Sequence, residues 1–77
     1  MLDLRPNCEN CDRDLPGDST DAFICSFECT FCTECSKTLF KGICPNCGGE
    51  LVRRPARPER LWKNYPPSDK RVLKQRV

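Results

Sequence analysis

The eight cysteines are the residues of this chain whose type and spacing could do chemistry. They form four pairs with two or three residues between the members: Cys8 and Cys11, Cys25 and Cys29, Cys32 and Cys35, and Cys44 and Cys47. Two cysteines at this spacing can bind one metal ion through a single tight turn, and four thiolates fill a tetrahedral zinc site. The spacing therefore predicts a protein built around two zinc ions, with every cysteine a ligand.

Disulfide bonds are the alternative use of eight cysteines in a chain of 77 residues. A chain this short rarely buries enough apolar surface to be stable without a cross-link. Residues 1–7 contain no basic region followed by an apolar run, so we expect no secretory signal. No apolar stretch is long enough to span a membrane. We therefore expect a cytoplasmic protein, because in a reducing compartment clustered cysteines bind metal or do redox chemistry.

The same cysteines argue against catalysis. Eight thiolates fill two tetrahedral sites, which leaves no open coordination position for water or a substrate. The chain contains no histidine, so the commonest general base is absent. We expect a protein that is not an enzyme, with no catalytic residues and no organic cofactor.

Charge divides the chain into two parts. Residues 1–52 hold nine acidic and four basic side chains, whereas residues 53–77 hold nine basic and two acidic ones. The second part is rich in proline and charge, a composition that cannot bury a core. We predict a two-zinc head over residues 1–53 and a basic, largely disordered tail over residues 54–77. Whether Leu61, Trp62 and Tyr65 dock on the head or stay free is left open by the sequence.

Short elements must position the cysteines of the head. Residues 22–27 are apolar and β-prone, which predicts one or two strands that deliver the second cysteine pair. Residues 33–40 favour a short helix that ends near Gly42, and residues 51–52 favour a last strand. The predicted core consists of the larger apolar side chains of the head, namely Leu2, Leu4, Leu15, Phe23, Ile24, Phe27, Phe31, Leu39, Phe40, Ile43 and Leu51.

Spacing alone does not decide how four pairs share two metal ions, since neighbouring, nested and crossed arrangements all satisfy it. The stretch from Cys8 to Cys47 resembles the RING finger, in which a run like Cys29-Thr-Phe-Cys32-Thr-Glu-Cys35 leads into a helix. The run Cys44-Pro-Asn-Cys47 is similar to the closing pair of that family. The resemblance implies a small metal-stabilised α+β fold of the treble-clef, cross-brace type. It also implies a first zinc on Cys8, Cys11, Cys32 and Cys35, and a second zinc on Cys25, Cys29, Cys44 and Cys47.

The chain departs from ubiquitin-ligase RING fingers at positions that dock the conjugating enzyme. Glu9 stands where those proteins carry an apolar residue, and Gly48 stands where they carry a basic one. Cys29 takes the place of the usual histidine. The whole chain also resembles a family of short bacterial cysteine-rich proteins of unknown function. We therefore interpret the chain as a non-catalytic interaction module, with a ubiquitin-ligase-like adaptor as an alternative.

We expect a monomer whose partner is another protein and not a membrane. Binding of nucleic acid is a further alternative, because cations and aromatic rings suit single strands. The basic residues that would carry it are Arg53, Arg54, Arg57, Arg60 and Lys63.

Overall fold

A three-stranded antiparallel sheet lies at the centre of the molecule. The computed structural model describes residues 1–74 and gives strands β1 (Ala22–Ile24), β2 (Thr30–Cys32) and β3 (Val52–Arg53), in the order β2-β1-β3. Phe23 of β1 lies opposite Phe31 on one side and opposite Arg53 on the other. The small α+β class and the short strands predicted from the sequence are confirmed.

Strand β1 ends early because the chain turns sharply at the second cysteine pair. The N–H of Glu28 donates to the carbonyl of Cys25 at 3.0 Å, which closes a turn between β1 and β2. Glu28 has φ +67, in the left-handed region. The predicted strand over residues 22–27 is thus half strand and half turn, and this turn places the second cysteine pair at one end of the sheet.

A single helical segment follows β2. Residues 33–34 are helical, and the segment continues as a wider turn over Cys35–Leu39, where the N–H of Phe40 reaches five residues back to Cys35 at 3.0 Å. The N–H of Gly42 donates to Ser36 at 2.7 Å, and Lys41 and Gly42 have φ +51 and +80. These bonds satisfy carbonyl groups at the end of the helix, so the chain stops at the predicted glycine.

The core combines apolar side chains with cysteines. Five predicted core residues are buried: Leu4, Leu15, Ile24, Phe31 and Leu51. Leu2 is half-buried, and Phe23 and Phe40 pack against the cluster from its edge. The rings of Phe31 and Phe40 meet edge to face at 4.9 Å.

The prediction was wrong for three core residues. Phe27 is 71% exposed, Ile43 51% and Leu39 47%. Each lies in or beside a turn, and at these turns the cysteine side chains point inward and occupy the interior. Ligand geometry, and not hydrophobicity, therefore decides which residue of each turn is buried.

A buried arginine joins the basic tail to the head. The Arg54 side chain is fully buried, and its guanidinium donates to the carbonyl oxygens of Arg5 at 2.8 Å, Leu15 at 3.2 Å and Pro16 at 3.0 Å. Burial lowers the pKa of Arg54, and the charge of Asp3 offsets this only in part. The first residue of the predicted tail is thus packed inside the predicted head.

The following segment also lies against the head. A 3₁₀ turn over Glu59–Leu61 brings Trp62 above Gly17, and the indole N–H of Trp62 donates to the carbonyl of Arg57 at 3.0 Å. A methyl group on Gly17 would lie 2.6 Å from Pro67, so the chain needs glycine there. The described part of this segment thus makes hydrogen bonds to the head although it has little apolar surface, and the disorder expected of the tail stays a prediction.

Of the three residues that the sequence left open, Trp62 is half-buried, whereas Leu61 and Tyr65 are exposed. Residues 75–77 of the predicted tail lie outside the described residues. None of the helical segments within residues 1–74 has the length and apolar character needed to cross a membrane.

We predict that Arg54→Met lowers the free energy of unfolding by about 2–4 kcal/mol, because the buried carbonyl group of Leu15 and the carbonyl groups of Arg5 and Pro16 lose the guanidinium donor. Arg53→Met is the matched control, since Arg53 is the neighbouring residue and is exposed. Urea unfolding at a fixed zinc concentration measures the free energy of unfolding of both variants. Equal loss of stability in the two variants would contradict a role for Arg54 as the connection between tail and head.

Candidate metal centre

The first and third cysteine pairs come together in the structure. The Sγ atoms of Cys8, Cys11, Cys32 and Cys35 all lie within 4.8 Å of one another, and only that of Cys11 belongs to an exposed residue. The sulfurs of Cys11 and Cys32 are 3.7 Å apart. A zinc ion with Zn–S bonds of 2.3 Å separates its ligand sulfurs by about 3.8 Å. The four thiols therefore fit a closed tetrahedral site, and we call them the first cluster.

Two turns present the thiols of the first cluster. Cys8 and Cys11 lie in a turn closed by the N–H of Asp12, which donates to the carbonyl of Cys8 at 2.9 Å. Cys32 ends β2, and the N–H of Cys35 donates to its sulfur at 3.4 Å. The amide of Asn10 donates to the sulfur of Cys35 at 3.5 Å. These donors stabilise negative charge on sulfur, as a metal-bound thiolate requires.

The second and fourth pairs approach each other at the other end of the sheet. The Sγ atoms of Cys25, Cys44 and Cys47 lie within 4.8 Å of one another, and we call these three thiols the second cluster. Each sulfur accepts a backbone N–H two residues ahead: Phe27 at 3.3 Å, Asn46 at 3.4 Å and Gly49 at 3.4 Å. Gly48 has φ +78, which only glycine adopts freely, so the Cys44–Cys47 turn depends on it.

Cys29 is the predicted ligand that the second cluster does not include. Its sulfur lies outside the mutual 4.8 Å limit, although Cys29 is near enough to Cys25 to contribute to the lowered pKa of that thiol. Cys29 is half-buried, whereas Cys25 is buried and Cys47 is exposed. The structure thus offers one group of four thiols and one of three, with Cys29 beside the second. The assignment of Cys29 as a ligand stays a prediction.

The thiols of one cluster differ in acidity. Burial would raise the pKa of Cys25, but the N–H groups of Phe27 and Cys29 outweigh it and lower that pKa to about 7. Burial raises the pKa of Cys44 to about 12 and that of Cys35 above its usual range. A divalent cation must therefore displace protons from the more buried thiols, so metal affinity should fall as the pH falls.

A buried carboxylate joins the two cysteine regions. The N–H of Glu9 donates to the carbonyl of Thr30 at 2.9 Å, and the N–H of Thr30 donates back to the Glu9 carboxylate at 2.7 Å. Arg5 completes the arrangement with an ion pair to Glu9 at 2.8 Å. The residue after Cys8 is thus fixed to the residue after Cys29. From the sequence, Glu9 is only a departure from RING fingers, because nothing in a single sequence indicates that this side chain folds inward.

The sheet, the wide helical turn and the two thiol groups define a small cysteine-rich protein with two candidate metal centres. Residues 1–57 match the family model described as protein of unknown function (DUF1272), and the chain belongs to that family. An uncharacterised protein of Rhizobium meliloti (strain 1021) is 69% identical over 74 residues, which covers 96% of this chain and 88% of that protein. No solved structure matches the chain. The expected resemblance to short bacterial cysteine-rich proteins is confirmed.

We predict that Glu9→Ala destabilises the protein by roughly 2–3 kcal/mol, because Arg5 and the N–H of Thr30 lose a buried partner. Glu34→Ala is the control, since Glu34 is exposed and, within residues 1–74, its side chain makes a single ion pair, to Arg13 at 4.0 Å. Urea unfolding of the zinc-loaded variants measures the difference. If Glu9→Ala is no more harmful than Glu34→Ala, the carboxylate does not connect the two cysteine regions.

Proposed function

We propose that the chain is a non-catalytic protein that binds two structural zinc ions and presents a small surface to a partner in the cytoplasm. The observation that carries the proposal is the first cluster, whose four thiols have the spacing of a closed zinc site. The first zinc would be held by these four thiols. The second would be held by the second cluster together with Cys29. Zinc supplies a cross-link in both places, and no open coordination position is needed for that role.

The order of the clusters along the chain supports a crossed arrangement. The first cluster takes cysteines from the first and third pairs, and the second takes them from the second and fourth. Along the chain, the two cysteine pairs that bind one ion would therefore lie on either side of a cysteine pair that binds the other ion. This is the connectivity of the RING cross-brace, and we extend it to this chain, including Cys29.

A surface for a protein partner is supported by the exposed apolar side chains of the head. Phe27, Ile43 and Val52 are all exposed, in a protein that otherwise has few large apolar residues to bury. Exposed apolar surface of this kind is used in protein–protein contacts. The position where RING ligases present an apolar residue is instead occupied by buried Glu9, so the ligase alternative is disfavoured.

The contacts of the basic segment disfavour nucleic acid as the main partner. Arg54 is buried, and Arg57 donates to the carbonyl groups of Tyr65 and Leu2. Of the five basic residues predicted to contact nucleic acid, Arg53, Arg60 and Lys63 remain exposed.

We predict two zinc ions per chain and loss of the fold on strong chelation, because structural zinc of this kind contributes on the order of 10 kcal/mol per site. Elemental analysis measures the zinc content, and circular dichroism measures whether the chain stays folded after chelation. Cadmium-substituted protein then tests the ligands, since each cysteine proton couples to the ion it binds. One ion per chain, or coupling of Cys29 and Cys32 to the same ion, would contradict the crossed two-zinc proposal.

We predict weak binding of single-stranded RNA and DNA by zinc-loaded protein, because Arg54 is buried and the guanidinium of Arg57 is held by backbone carbonyl groups. Fluorescence anisotropy across roughly a fourfold range of salt measures affinity and its salt dependence. The variant Arg60→Ala/Lys63→Ala should change little. Tight binding that falls steeply with salt and is lost in that variant would favour the nucleic-acid alternative over a protein partner.

A further inference from the structure

The last described residues of the chain lie along the start of the head. Residues 68–74, which we call the strap, run beside residues 4–9 in the same direction. Backbone N–H groups at the two ends of the strap donate to backbone carbonyl groups of the head: Ser68 to Leu4 at 3.0 Å, and Lys74 to Glu9 at 2.7 Å. These bonds involve only main-chain atoms, so they do not depend on which side chains the strap carries.

A buried amide holds the middle of the strap. The side chain of Asn7 is fully buried, its NH₂ group donates to the carbonyl of Val72 at 2.8 Å, and its oxygen accepts the N–H of Val72 at 3.3 Å. A carboxamide offers a donor and an acceptor side by side, so it can bind the N–H and the C=O of one residue in any peptide. Asn7 is thus a site of the head for the main chain of a peptide.

A cluster of ion pairs makes the head selective for one side chain of the strap. The guanidinium of Arg71 binds the carboxylates of Asp12 at 2.9 Å and Asp14 at 2.8 Å, and it also donates to the carbonyl of Asp12 at 2.9 Å. Within residues 1–74, no other charged side chain of the strap pairs with the head. A planar guanidinium can bind several oxygens in this way, and an ammonium group cannot match that geometry. The two aspartates therefore favour arginine.

The contacts of the strap are weak enough for another peptide to replace it. Every residue of the strap is exposed or half-buried. The paired side chains of Arg71, Asp12 and Asp14 are 45%, 46% and 80% exposed. Ion pairs with this exposure contribute little free energy and are screened by salt. Leu73 is 56% exposed, so the strap adds little apolar burial to its hydrogen bonds.

The span of the family match separates the strap from the surface that it covers. The match ends at residue 57, so residues 4–14 lie inside the part of the chain that defines the family and the strap lies outside that part. Main-chain bonds that supply affinity, with a side-chain contact that supplies selectivity, are the means by which proteins bind extended peptides. The head therefore carries a peptide-binding surface that does not require this particular strap.

We propose that this surface binds an extended, arginine-containing segment of a partner protein, and that the strap occupies the surface until the partner displaces it. We call the surface the docking edge, and it consists of Leu4, Asn7, Glu9, Asp12 and Asp14. The inference rests on the proposed function in that the partner is a protein. It adds the chemistry of the segment and a place on the head away from the exposed apolar residues.

A partner protein suits the docking edge better than a second copy of the chain does. The strap is tethered to its own head, so its effective concentration is on the order of millimolar. A second copy offers the same contacts at the much lower concentration of the protein, and the tethered strap therefore outcompetes it. A segment of a partner can exceed the strap in affinity by burying apolar side chains, since Val72 is only half-buried and Leu73 is exposed.

The test uses the full chain, whose zinc content is measured first. A synthetic peptide of residues 66–74 carries an isotope label at its valine, and its NMR signal reports binding up to millimolar concentrations. We expect the peptide to bind Arg71→Ala roughly threefold or more tightly than the wild-type chain, because the variant strap leaves the docking edge open more often. Arg60→Ala is the matched control, since Arg60 is exposed and lies outside the strap. Equal affinity for the three chains, or no binding to any, would overturn the proposal.

Selectivity is tested on the Arg71→Ala chain with a second peptide that has lysine in place of its arginine. We expect this peptide to bind roughly threefold or more weakly, and we expect the difference to disappear when Asp12→Asn/Asp14→Asn is added to the chain. Equal binding of the two peptides to the Arg71→Ala chain would overturn the selectivity for arginine.

Two further results separate the alternatives. A wild-type dimer in sedimentation experiments that Arg71→Ala abolishes would assign the docking edge to a second copy and overturn the choice of a partner protein. A chain that carries fewer than two zinc ions would contradict the proposed two-zinc function, and the peptide titrations would still decide on the docking edge.

Discussion

The grouping of thiols from distant parts of the chain is the constraint on which the structure depends. Within residues 1–74, five of the eleven buried apolar residues are cysteines, and four of the other six pack with them in one cluster. Such an interior buries too little hydrocarbon to offset the conformational entropy of the chain by packing alone. A metal ion in each thiol group would supply the missing free energy, because ligands brought together by folding bind it as one site. The short strands and the helical turn after β2 then follow as the pieces that bring those ligands together.

The interleaving of the two thiol groups makes the parts of the head depend on one another. The first cluster includes cysteines on both sides of the turn that carries Cys25, and β2 runs from beside Cys29 to Cys32. A strand of three residues cannot form one end without the other. The reciprocal bonds between Glu9 and Thr30 reinforce this, since they join a turn of the first cluster to the start of β2. Removal of either metal ion would therefore destabilise both centres.

The sequence predicted those features that depend on residues close together in the chain. Cysteine spacing located the turns, and β-prone residues located β1 and β3. Gly42 marked the end of the helix. The pairing into two groups needed the RING resemblance, because spacing alone permits three arrangements. Predictions failed where a distant contact decides the outcome, as at Phe27 and Ile43, which the turns around the cysteines leave exposed.

Arg54 illustrates why the composition of the basic segment does not by itself decide how its residues pack. A charged, proline-rich sequence predicts disorder because it offers little hydrocarbon to bury. Here the guanidinium of Arg54 donates to the carbonyl oxygens of Arg5, Leu15 and Pro16 in the loops of the head, and these hydrogen bonds accompany its burial. Arg71 likewise pairs with Asp12 and Asp14 in the acidic loop. The opposite charges of the two halves are thus partly paired within the chain. An external partner would meet the exposed basic residues that have no partner among the described residues, together with exposed apolar residues such as Phe27 and Ile43.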